Sequence, residues 1–157
     1  MKLLTPEKEN EVFDIFKEGF RGDLNELGYQ EIALTVFDRW LTEEEAKEKL
    51  AMPLFPKYQE KMFSFYNYIF RNCNVYSYFE SLARSPGCVI SFNNEEEYLD
   101  HINLALIERN FFRLIIPKYR IVIDASWDFT HFVYYPEEPL SPDFVKLVKE
   151  QGLYLLD

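Results

Sequence analysis

The chain has 157 residues with 17 Lys plus Arg against 27 Asp plus Glu, a formal charge of -10, which excludes the basic footprint that nucleic acid or an anionic membrane surface demands. A chain this long can bury roughly 68–70% of its unfolded surface in one domain, and 48% hydrophobic residues with only 5 Gly leave little support for extended disorder. Aromatic residues make up 18% (15 Phe, 11 Tyr and 2 Trp), a supply that serves both core packing and binding anchors.

The first residues carry only Leu3 and Leu4 before charge begins, too few for the apolar region of a secretion signal. No later apolar run approaches the length needed to span a bilayer, so a soluble cytoplasmic protein is expected. Thr5-Pro6-Glu7 reads as a helix start, with Thr5 as N-cap, and Val12, Phe13, Phe16 and Phe20 give it an apolar stripe ending near Gly19 or Gly22. Over residues 28–41 the recurrence of Ile32, Val36 and Trp40 every four positions predicts a second helix. Thr42 to Glu45 matches a capping box opening a short charged helix. Pro56 opens another, faced by Met62, Phe63, Tyr66, Ile69 and Phe70. After the Asn72-Cys73-Asn74 interruption, residues 75–83 continue helically with Tyr76, Phe79 and Leu82. The first half therefore reads as all helix.

Ser85-Pro86-Gly87 is a breaker, and near 85–87 the chain has its one indication of a subdomain boundary. Residues 88–92 are short, β-branched and apolar, as in a buried strand, and Asn93 or Asn94 then caps a helix carrying Leu99, Ile102 and Leu106. Residues 112–116, 120–125 and 129–135 form a meander with short connections. Ser141-Pro142-Asp143 starts a last helix, and residues 153–156 are an apolar tail that docks onto the core. The expected architecture is a single α+β domain over 1–157: a helical N-terminal half packed with a small mixed or antiparallel sheet of about four strands in the C-terminal half, one crossover helix and a C-terminal helix.

No motif carries chemistry. GxSxG, GxGxxG and HExxH are absent, and Cys73 and Cys88 lack metal or disulfide spacing, so neither a catalytic residue, a metal site nor a cofactor is predicted. The densest polar stretch is Asp124 to His131. Asp124, Asp128 and His131 have the residue types of a metal-assisted hydrolase or transferase, but strand alternation puts Asp128 and His131 on opposite faces. His101, with Glu97 one helical turn before it, reads as a surface histidine. Trp127, bordered by Asp124, Asp128, Glu137 and Glu138, has the make-up of an interface anchor with an acidic rim, while packing of Trp127 back onto the sheet as core is slightly favoured.

The functional expectation is a small acidic protein-binding protein that neutralises a basic partner. In composition alone, with no motif behind it, such a protein is similar to immunity proteins that neutralise cationic bacterial toxins. The alternatives are the metal-assisted enzyme and a homo-oligomeric structural subunit with aromatics buried between copies.

Overall fold

The computed structural model describes residues 1–51, 54–81 and 84–157, and the helix starts lie where local side chains place them. α1 (Pro6–Ile15) begins at Thr5, whose hydroxyl accepts the Lys8 amide at 3.3 Å. α2 (Glu43–Lys49) closes a reciprocal capping box between Thr42 and Glu45. α3 (Phe55–Asn72) carries Pro56 in its first turn, α4 (Glu95–Leu106) is capped by Asn94 and α5 (Pro142–Glu150) by Ser141. Each capping side chain satisfies an amide that the helix itself leaves without a partner. Among the described residues no helix is long and apolar enough to cross a membrane.

The strands correct the expected architecture. β1 (Lys2–Leu3), β2 (Gln30–Thr35), β3 (Tyr76–Ser81), β4 (Arg84–Ser91), β5 (Arg113–Ile116), β6 (Ile121–Asp124), β7 (Thr130–Tyr135) and β8 (Tyr154–Leu156) form one eight-stranded sheet rather than one of about four strands. Its order is β1-β4-β3-β5-β6-β7-β2-β8, and every neighbouring pair is antiparallel. Helices are not gathered in the N-terminal half, which itself supplies β1, β2 and β3. The meander of β5, β6 and β7 lies where its sequence pattern put it. α4 joins β4 to β5, but β3 lies between those two strands, so the helix crosses over a neighbour instead of linking adjacent strands.

Two segments read as helix are strands because their apolar residues also fall at helical spacing (Ile32 and Val36, Tyr76 and Phe79), while long-range pairing decides the outcome: β2 lies between β7 and β8, and β3 between β4 and β5. In β2, Ile32 and Leu34 face the helices while Ala33 and Thr35 face the other side, with Leu34 opposite His131 and Thr35 opposite Thr130. In β3, Tyr76 and Tyr78 face one side, whereas Ser77 and Phe79 approach His101 on the other. Residues 85–87 are part of β4. Gly87 has φ +107°, and a Cβ there would lie 2.8 Å from the Phe79 carbonyl oxygen beside the register shift in β3, which accounts for a glycine inside a strand. Leu82 and Ala83, expected at the end of a helix, lie outside the described residues.

The sheet is a central layer. α3, α4 and α5 cover one face around Phe65, Tyr66, Ile69, Ile102, Leu114, Ile121, Ile123 and Phe144. α1 and the segment after it cover much of the other face through Val12, Phe16, Phe20, Leu24 and Tyr29, packed on Tyr78, Val89, Ile115 and Val122. Ile121, Val122 and Ile123 alternate between these two cores and are all fully buried.

Candidate functional site

The stretch 124–131 is taken apart by the sheet. Asp124 is opposite Phe132, so His131 points to the other face. The Asp124 carboxylate is held by Arg113 through two bonds of 2.7 Å, and the same guanidinium donates to the Phe20 carbonyl and, at 3.0 Å, to the Gly22 carbonyl. Asp124 is thereby part of a clamp that fastens the segment after α1 to the sheet. Among the described residues no group of three His, Cys, Asp or Glu side chains is placed to hold a metal ion.

His131 is a core residue. Its Nδ1 lies 2.6 Å from the Tyr66 hydroxyl, its ring packs against Tyr66 and Phe112, and burial pushes its pKa down to about 3. Burial also holds the Tyr66 phenol well above its usual value, so the bond joins two uncharged groups. The Tyr98 hydroxyl in turn donates to the Tyr66 carbonyl at 3.0 Å. His101, expected on the surface, is buried instead: its Nε2 lies 3.4 Å from the Ser77 hydroxyl and its ring is surrounded by Phe79, Phe92 and Phe112. Burial lowers its pKa against the opposing charge of Glu97. The residue one turn away on α4 was legible in the sequence, whereas the sheet beneath it was not.

Trp127 is not core. It is 57% exposed and sits at the tip of the hairpin between β6 and β7, with its ring edge-on to Phe111 at 4.9 Å. Over residues 127–130 the Thr130 amide donates to the Trp127 carbonyl at 3.0 Å, and the two central residues, Asp128 and Phe129, have φ of +57° and +56°. Two left-handed residues in succession match the twist of a tight hairpin, but for a phenylalanine this conformation is strained. It is held by burial of the Phe129 ring against Phe55 at 4.7 Å and by the Asp128 amide donating to Glu108 at 2.9 Å.

That tip forms one wall of a cleft of about 250 Å³, lined by Thr35, Phe37, Trp40, Leu41, Ala46, Leu50, Ser126, Asp128, Phe132 and others beside them. The second wall carries Trp40, which is 52% exposed and whose indole N–H donates to the Asp157 carbonyl at 2.7 Å. Thus the chain's two tryptophans line a single cleft. Arg39 also lines it, but both its terminal nitrogens bond Glu45 at 2.6 Å. Glu45 is further bound by the Thr42 amide, and these bonds, the Arg39 bond foremost, hold its carboxyl at about 2. The pair therefore presents no net charge. Among the described residues neither a cation nor a donor meets the Asp128 carboxylate. Asp38, exposed between Phe37 and Arg39, adds negative charge on the flank, as does Glu108 below the turn.

Of the five residues expected to form the interface, the structure brings together Trp127 and Asp128. Asp124 does not line the cleft; it is held by Arg113 in a neighbouring groove that also includes Phe111. Glu137 and Glu138 follow the far end of β7, roughly 20 Å along the strand from the tip, where Glu137 pairs with Arg120 at 3.0 Å. They are not a rim to Trp127. Trp40 falls on the helical stripe that the spacing over residues 28–41 predicts, which hides it as a cleft residue; its charged flanks, Asp38 and Arg39, directly before the Thr42 cap are the signal of an exposed turn. No protein-family model matches the chain, and no curated protein or solved structure is significantly similar to it.

Proposed function

We propose that this protein is a protein-binding protein of immunity or inhibitor type, acting in the cytoplasm, which engages a basic partner through the Trp40–Trp127 cleft. The observation that carries the reading is the placement of both tryptophans, each more than half exposed, on one concave surface. Exposed Trp side chains that converge are the commonest anchors of protein interfaces, and their loss typically removes 2 kcal/mol or more of binding energy, as a rough figure. The cleft volume favours partner side chains over a metabolite, since small-molecule sites run to about 300–1,000 Å³. The chain's charge of -10 supplies long-range attraction for a cationic partner and disfavours an acidic one. The metal-assisted alternative has no comparable support, because Asp124 and His131 are engaged elsewhere and face opposite ways.

The test is capture from the native host with the wild-type protein and with Trp127→Ala, followed by titration of the purified partner at two salt concentrations. The reading expects a basic partner that binds more weakly as salt rises and is lost with Trp127→Ala. A partner of acidic character, or one indifferent to both changes, overturns it. Light scattering covers the remaining alternative: a dimer that dissociates on Trp127→Ala makes the partner a second copy.

A further inference from the structure

The cleft also indicates which part of a basic partner enters it, an inference that rests on the reading just given. We propose that it accepts a single arginine side chain, with the guanidinium against the tryptophan rings and its N–H groups directed to the Asp128 carboxylate. Four observations converge on this occupant.

First, Asp128 lines the cleft and, among the described residues, no cation or donor meets its carboxylate. An apolar side chain entering beside it would strip water from a charge and return nothing, whereas a guanidinium replaces that water with charge-assisted hydrogen bonds. Second, the cation already on the rim does not compete, because Arg39 is bound at both terminal nitrogens by Glu45. Third, the cation–ring contact found among the described residues is Lys118 over Tyr119, remote from the cleft, so none of the described cations is found over either indole. Fourth, both indoles are fixed before binding: Trp40 by its bond to the Asp157 carbonyl, Trp127 by the Phe111 ring and the tight turn. Fixed anchors leave less conformational freedom to be lost on association.

Arginine fits better than lysine on geometry. Its guanidinium is planar, lies flat on an aromatic face and bonds a carboxylate through two parallel N–H groups, while an ammonium is a compact, strongly hydrated point charge. Ser126 and Thr130 add hydroxyl oxygens to the lining, the latter 3.0 Å from the Thr35 hydroxyl.

The experiment follows the two indole N–H signals of the full chain by nuclear magnetic resonance during titration with the peptide acetyl-Gly-Gly-Arg-Gly-Gly-amide. Matched peptides carry citrulline, an uncharged isostere, or lysine in place of arginine. The expected result is saturable movement of both indole signals with the arginine peptide, with a Kd on the order of 1 mM, a strength usual for a single side chain. Lysine should bind several-fold more weakly and citrulline should not saturate. Asp128→Asn, which keeps a residue tolerant of the left-handed turn, should weaken the arginine peptide about tenfold, and Trp127→Ala should abolish saturation. Equal binding of citrulline or lysine, or no effect of Asp128→Asn, overturns the arginine assignment. If the arginine peptide fails while Trp127→Ala still prevents capture of the whole partner, the arginine anchor is wrong and the docking surface stands. If both fail, the docking surface falls too.

Discussion

The interior between α3, α4 and the sheet and the cleft at the β2–β7–β8 end are built from the same material, aromatic rings with a polar atom attached, yet they use it in opposite ways. In the interior, Tyr98, Tyr66 and His131 satisfy one another, and the imidazole is kept neutral by burial. At the cleft, two indoles are half in water and, among the described residues, the Asp128 carboxylate meets no cation or donor. The comparison teaches that aromatic content alone does not mark a binding surface. What marks it is a ring held in place while its face and the neighbouring charge stay unsatisfied.

The difference breaks most readily with pH. His131 has a pKa near 3 when folded and about 6.5 when unfolded. Between those values the unfolded chain binds a proton that the folded one refuses, so stability rises with pH across that window. The contribution is fully present above about 6.5 and is lost on acidification towards 3, amounting to as much as about 5 kcal/mol at roughly 1.4 kcal/mol per pKa unit. Denaturant unfolding of wild type and His131→Gln at several pH values checks this, and the variant should show a flatter slope between pH 6.5 and 4. Next in size, Arg113→Ala should cost about 2–3 kcal/mol, because the Asp124 carboxylate loses its partner and the segment after α1 loses its clamp. Limited proteolysis should then cut first between residues 16 and 29. Tyr66→Phe removes a single hydroxyl and leaves Nδ1 of His131 without its hydrogen-bond partner in the interior, for about 1–3 kcal/mol by denaturant titration. Smallest of all is the cleft: Trp127→Ala should change stability by no more than about 0.5 kcal/mol. A large loss there would erase the distinction between the two regions.

The helix ends were readable because capping is local: Thr5, Thr42, Asn94 and Ser141 act within three residues of themselves. The strand content was not, since the apolar residues of β2 and β3 also fit a helical spacing and only pairing with distant strands distinguishes the two. The hairpin tip could be seen in the sequence because Asp128 and Trp127 are adjacent in it. Trp40 reaches that tip only through the pairing of β2 with β7, a long-range contact that no local pattern announces. The same topology removed Glu137 and Glu138, since sequence proximity to Trp127 is undone by the length of an extended strand.

The most direct test of the division between interior and cleft is the affinity of Trp127→Ala for the captured partner, measured by calorimetry on protein whose unfolding midpoint equals that of wild type. The two-tryptophan cleft predicts a loss of about 30-fold or more, as befits an anchor worth roughly 2 kcal/mol. An affinity equal to that of wild type would contradict it.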